Sequence, residues 1–276
     1  MNFKPLLAAF ALSAACGLAQ AAPKAHTDAA LAAAIASPSR TPENVVRDKY
    51  RHPLQTLEFF GIKPGMTVVE IWPGAGAWYT EILAPYLHDH GQYYAAGAAA
   101  SLPTASDNTK KAVARFNDKL AADPAHYGHV QVTEFLPPLR TAIAPAGSAD
   151  LVLSFRNVHN WMAGGYEQQA FNAFYAALKP GGTLGIVEHR AKPDALYSEE
   201  IKTGYVREDY VKALAANAGF KFVASSPVNY NPKDTKDYPE GVWTLPPTFK
   251  LGDKDRDKYL AIGESDRMTL RFVKPK

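Results

Sequence analysis

The chain has 276 residues, is 47% hydrophobic, 11% aromatic and 21% charged, and carries a net charge of +3. That balance excludes a collagen-like, coiled-coil or disordered chain. So mild a charge, with no dense basic stripe, argues against nucleic acid as a partner. The single cysteine, Cys16, falls in a segment expected to be removed, which leaves no disulfide, thiolate nucleophile or cysteine-held metal.

The chain opens as an export signal. Lys4 precedes an apolar run from Leu6 to Ala15, and Ala19-Gln20-Ala21 fits a small-x-small cleavage site. Residues 1–21 are therefore expected to be a signal peptide, with a periplasmic or secreted protein starting at Ala22. No later stretch reaches the roughly 18 apolar residues of a membrane span. Residues 22–40 read as a mobile tail or a short helix, over 27–36 behind a Thr/Asp cap. Residues 41–276 read as one domain without repeats.

Within it, helices are expected near Pro42 and over 53–60, then a buried strand over 67–71 and a helix over 77–87. Strands follow at 92–96, 129–135, 149–155, 183–188 and 220–225, separated by helices at 103–121, 166–178 and 207–218. Strands alternating with helices imply a parallel sheet. A last strand over 268–273, reached without a crossover helix, is expected to run antiparallel. Residues 227–263 read as a long loop with little regular structure, leaving the sixth strand and returning to the seventh, hence over the ligand face. Trp243 and Tyr238 are its apolar anchors.

Chemistry starts at Val68-Val69-Glu70-Ile71-Trp72-Pro73-Gly74-Ala75-Gly76, a strand running into a glycine turn and a helix. Ligands of such sheets sit beyond the carboxyl ends of the strands. Gly74 and Gly76 allow close approach to the backbone. Tyr79 stands where a dinucleotide loop has its third glycine, and no Lys-Ser/Thr pair follows, which argues against NAD, FAD and nucleoside triphosphates. Joined to Ala149-Asp150-Leu151-Val152-Leu153, Leu178-Lys179-Pro180-Gly181-Gly182-Thr183-Leu184 and Ala218-Gly219-Phe220, the segment resembles motif I of class I S-adenosylmethionine (SAM)-dependent methyltransferases. The block from Tyr50 through Pro85, with Arg267-Met268-Thr269-Leu270, is similar to exported predicted methyltransferases of bacteria.

The resemblance implies a Rossmann-like α/β fold: a seven-stranded, mostly parallel sheet with an antiparallel last strand and helices on both faces. It implies SAM as cofactor, with Glu70, Trp72, Gly74, Gly76 and Gly97 around it. Two departures stand out. Trp72 replaces the usual first glycine, as a wall or a filling of the pocket. The family's acidic residue at the end of the second strand is missing from Tyr93-Tyr94-Ala95-Ala96-Gly97.

Chain direction sorts the other candidates. Loops after parallel strands lie on the ligand face, which places Arg156, Asn157, His159 and Trp161 there, with His189. His159 is the candidate base, because imidazole titrates near neutrality, with Asn157 and Arg156 beside it. Arg51, Arg267 and Trp161 are candidate substrate contacts. Arginines from distant parts of the chain converging on one face imply nearby acids, such as Asp266 or Glu188, or a small anionic substrate. His88, His90, His126 and His129 precede strands and lie away from that face, as turn residues with no metal expected. Two readings stay open: methyl transfer to a small molecule, and a non-catalytic ligand-binding or accessory protein on a degenerate scaffold. The retained Glu70 and glycine turn favour the first, and the missing carboxylate, with export away from the cytoplasmic source of SAM, favours the second.

Overall fold

The computed structural model describes Met1 and residues 28–276; the expected export signal, with Lys4, Cys16 and the 19–21 cleavage site, lies outside them. Seven strands form one sheet: β1 (Thr67–Ile71), β2 (Gln92–Ala98), β3 (Gln131–Phe135), β4 (Ala149–Phe155), β5 (Leu178–His189), β6 (Lys221–Ser226) and β7 (Arg267–Val273). Their order is β3-β2-β1-β4-β5-β7-β6. The pairs among β1 to β5 are parallel, and β7 lies antiparallel between β5 and β6. Chain order reverses between β1 and β4, so the crevice for a ligand opens at their carboxyl ends.

The central strands are apolar on both sides because helices cover both faces. Val68, Leu151 and Leu153 face one core with Leu57, Phe60 and Ile82. Val69, Ile71 and Val152 point the other way, toward Trp161, Phe171 and Phe174. This alternation is the two-residue period of a strand, expressed between two buried layers. Gly185 in β5 is a close-approach site: a Cβ there would stand 2.8 Å from the Phe60 ring.

Several boundaries differ from expectation. β5 begins at Leu178, because the turn residues 179–182 pair with the end of the chain; the Gly181 N–H reaches the Lys274 carbonyl at 2.8 Å. The helix Val158–Gly164 was expected as a loop. Its Val158, His159, Trp161 and Met162 are buried while Asn160, Ala163 and Gly164 are exposed, but seven residues ending in Gly164-Gly165 are too few for periodicity to detect a helix. Near the start, Ala29–Ile35 forms the short helix that was one of the two expectations there, docked on the domain: Asp28 caps it and Leu31 is fully buried. The 227–263 segment contains a 3-10 turn, Gly241–Thr244, and a helix, Arg256–Ile262, so it is more regular than its Pro/Asp/Lys-rich composition suggests. Among the described residues, no helix is long and apolar enough to cross a membrane.

Candidate functional site

Two cavities open at the carboxyl ends of the strands. The first, about 260 Å³, lies between the turn after β1, the ends of β2 and β3, and the helix Asp107–Ala122. Trp72, Gly74 and Gly97 line it. Gly74 has φ +71, a left-handed conformation that excludes most side chains, and a Cβ there would meet open space. Trp72 is also left-handed, with φ 49. Its indole N–H donates to the Phe135 carbonyl at 2.9 Å, which holds the ring as a wall and leaves the cavity open.

Glu134 was missed by the sequence reading. It stands on β3 directly across from Gly97 and lines the same cavity. It therefore brings a carboxylate to the end of β2 from the neighbouring strand. The Ser101 N–H and hydroxyl donate to it at 2.7 and 2.5 Å, which pins the loop after β2. Burial pushes its pKa up, but the two Ser101 bonds and Arg140 together outweigh that and bring the net shift downward.

Glu70 and Gly76 stand behind this cavity and do not line it. The Gly76 carbonyl accepts from Asn44 Nδ2 at 2.9 Å. Glu70 is buried and accepts from the hydroxyls of Tyr93 and Thr80. Burial pushes its pKa up to about 7, against the pull of those two hydroxyls and of Arg156.

The second cavity, about 150 Å³, lies beyond β4 and β5. Arg156, His159, His189, Glu264 and Ser265 form its polar side. Val242, Trp243, Pro246 and Pro247 of the 227–263 segment form its apolar side. The Trp243 ring stands edge-on to His159, 6.0 Å between centroids.

Beneath it Glu188 is a fully buried hub. The Val158 N–H donates to one carboxylate oxygen at 2.6 Å and the His189 N–H to the other at 2.8 Å. His159 Nδ1 lies 3.0 Å from that second oxygen. A carboxylate engaged by two N–H donors acts as acceptor, which assigns the donor role to Nδ1 and leaves Nε2 as the acceptor. His189 Nδ1 contacts the Ser265 hydroxyl at 2.5 Å. Burial, reinforced by His159 and by Arg156, holds the His189 pKa well below its ordinary value.

Glu264 is the acid that the arginines imply. Arg47, Arg51 and Arg267 pair with it at 2.7, 3.1 and 3.1 Å. Asp266 and Glu188 do not fill that role, because Asp266 pairs with Arg190 and Lys236 and Glu188 holds His159. Burial alone would raise the Glu264 pKa, but Arg267, Arg51, Arg47 and Arg156 bring it down to about 2. Arg51 is further enclosed by Trp78, its guanidinium 4.8 Å from the ring centroid. Arg51 and Arg267 thus surround the site's acid and do not line the cavity themselves. Asn157 also lies behind the cavity, donating to the Ile71 carbonyl at 2.9 Å and tying the β4 loop to β1. Trp161 is a correction. It is fully buried among Trp72, Phe135 and Phe174, because the Val158–Gly164 helix turns it into the core and away from any ligand.

At the opposite, amino end of the strands, the His88 and His129 rings stack at 4.2 Å and His88 pairs with Asp89. Among the described residues, the one grouping with metal-ligand spacing is His159, Glu188 and His189, their ligand atoms within 4.8 Å.

No protein-family model matches the chain, and no curated protein does. Solved structures do. A SAM-dependent methyltransferase from Aquifex aeolicus superposes with a TM-score of 0.54 at 16% identity, over 85% of this chain and 94% of that one. The fold is that of class I SAM-dependent methyltransferases. Phosphoethanolamine N-methyltransferase 2 of Haemonchus contortus, solved in complex with SAM, superposes with a TM-score of 0.53 at 15% identity, over 82% of this chain and 53% of that one. The [4+2]-cyclase SpnF also shares the fold, with a TM-score of 0.52 at 17% identity, over 80% and 78% of the two chains. Such identities establish architecture, and the chemistry has to be argued from the site.

Proposed function

We propose that this protein transfers a methyl group from SAM to a small-molecule acceptor. The observation that carries this reading is the cavity of about 260 Å³ under a glycine turn at the switch point of the sheet, where a Cβ on Gly74 would enter open space. When bound, SAM would supply an electrophilic methyl group on a sulfonium. Trp72, Gly74 and Gly97 would hold its nucleoside part. Glu70 and Gly76, one layer back, would shape the turn, and Glu134 offers the carboxylate that β2 lacks.

The acceptor would occupy the second cavity. An acceptor O–H or N–H would give its proton to His159 Nε2 as the new bond to the methyl carbon forms. Glu188 would hold that imidazole by its Nδ1–H, and Asn157 would fix the loop that carries it. The apolar wall around Trp243 would exclude water, so that placement of the reacting groups supplies most of the rate. The buried hub of Glu188 and His159 at the second cavity favours catalysis over an inert scaffold.

Calorimetry with SAM and S-adenosylhomocysteine tests the reading. Both should bind with 1:1 stoichiometry, and Gly74→Val should weaken both at least tenfold, since its side chain enters the cavity at a left-handed position. No binding of either by the wild type would overturn it.

Export is proposed as well, on the order of Lys4, apolar run and Ala-Gln-Ala. N-terminal sequencing of the mature protein should begin at Ala22. An intact Met1 on cytoplasmic protein would rule this out.

A further inference from the structure

Charge does not balance around the second cavity. Four arginines, Arg47, Arg51, Arg156 and Arg267, act on the single carboxylate of Glu264. The other buried acids nearby are committed elsewhere. Glu188 accepts from two N–H groups and holds His159, Glu70 accepts from Tyr93 and Thr80, and Asp266 pairs with Arg190 and Lys236. Arg47 and Arg51 each keep a buried terminal nitrogen without an acceptor. A surplus of desolvated positive charge is costly unless an anion joins it.

Arg156 concentrates that surplus at the cavity. Arg156 lines the cavity, and its side chain has neither a hydrogen-bond acceptor nor a carboxylate within salt-bridge distance among the described residues. Its backbone is left-handed, with φ 62, a conformation uncommon for a residue with a side chain. A strained, unpaired arginine aimed into a cavity is the pattern of a ligand-recognition residue. The same charge argues against a metal at His159, Glu188 and His189, because a divalent cation would add to the positive field and Glu188 is already engaged. The size of the cavity, well below the 300–1,000 Å³ that drug-sized ligands occupy, calls for a small ligand. The wall of Val242, Trp243, Pro246 and Pro247 calls for an organic one.

We propose that this cavity binds a small carboxylic acid, with its carboxylate on the Arg156 guanidinium and its carbon skeleton against Trp243. The acid is the methyl acceptor through a separate O–H or N–H on its skeleton: that oxygen or nitrogen would take the methyl from the sulfonium, its proton would pass to His159 Nε2, and S-adenosylhomocysteine would leave; that identification rests on the methyl-transfer reading, whereas the binding of the carboxylate does not.

Titration of the full chain with benzoate, its neutral isostere benzamide, inorganic phosphate and Zn²⁺, all without SAM, tests the proposal by calorimetry. Benzoate should bind 1:1 at neutral pH, and benzamide at least tenfold more weakly. Arg156→Gln should lose ten- to a hundredfold in benzoate affinity, the loss expected when one charge-assisted contact is removed. Arg156→Lys keeps the charge without the fork and should fall between them; it also serves if the glutamine variant does not fold. Equal binding of acid and amide, or wild-type affinity in Arg156→Gln, would overturn the proposal. So would an absence of saturable benzoate binding, or phosphate binding tighter than benzoate. Saturable Zn²⁺ binding that His159→Gln abolishes would instead make this a metal site. Because SAM is absent from this titration, a failure of SAM binding leaves a positive benzoate result standing, and the reverse also holds.

Discussion

Glu264→Gln should destabilise the protein by about 3–5 kcal/mol at neutral pH, the usual cost of removing one member of a buried ion pair. Glu264 is 4% exposed, and the side chains of Arg51 and Arg267 are 1% and 3% exposed, so water cannot replace the lost carboxylate for either of them. Arg47 is 21% exposed and can turn outward, which keeps the cost from growing further. The variant is nearly isosteric, so the change reports charge and not packing. The same group predicts an acid limb. Its folded pKa of about 2 lies below the ordinary 4.5, so its stabilisation is complete above about pH 4.5 and fades as pH falls toward 2. A shift of that size corresponds to on the order of 3 kcal/mol. Urea melts of wild type and variant at pH 7 and pH 3 would measure both effects. A difference below about 1 kcal/mol at pH 7 would mean that Glu264 does not hold the arginines together.

Glu70→Gln should behave in the opposite sense along the pH scale. The Glu70 pKa in the folded protein is pushed up to about 7, chiefly by burial. Between about pH 4.5 and 7 the folded protein keeps a proton that the unfolded chain has released. Wild-type stability from this group therefore declines as pH rises through that window, and the full cost of a buried charge is present above it. The decline should amount to on the order of 3 kcal/mol. Glutamine has nothing to ionise, and its side-chain oxygen can still accept from Tyr93 and Thr80. The variant should therefore gain on the wild type by that amount between pH 5 and pH 8, read from parallel denaturant melts. Parallel stability curves for the two proteins across this range would show that Glu70 stays ionised when folded.

The two carboxylates also show how differently parts of the site could be read in advance. Glu70 belongs to a local pattern: a buried strand, a glycine turn and a helix within one short segment. Its position follows from nearest-neighbour chain geometry, so the first cavity's Trp72, Gly74 and Gly97 were accessible without coordinates. Glu264 belongs to no local pattern. Its partner Arg51 lies 213 residues away, and only the return of β7 between β5 and β6 brings the two together. Glu134 is intermediate. Its strand was legible, but its place across from Gly97 depends on the register between β2 and β3.

By itself the sequence determined the order of the strands and of the helices that cross between them, the fold class and the end of the sheet at which the cavities open, because strand and helix periodicity, glycine turns and the handedness of crossovers are local rules that apply wherever the chain goes. It also placed Arg156 and His159 at the end of the sheet where the second cavity opens. Only the tertiary structure decided which way they point and what they meet. Trp161 sits two residues beyond His159 in one short helix, yet it is enclosed by Phe135 and Phe174 while His159 faces Trp243. His159 and Trp161 are both buried, so hydrophobicity cannot tell the core face of that helix from its cavity face. Pairing of charges is likewise a long-range matter. The arginines announced that an acid was needed, but which acid meets them depends on where loops far apart in the chain are packed, and that is set by the closure of the whole sheet.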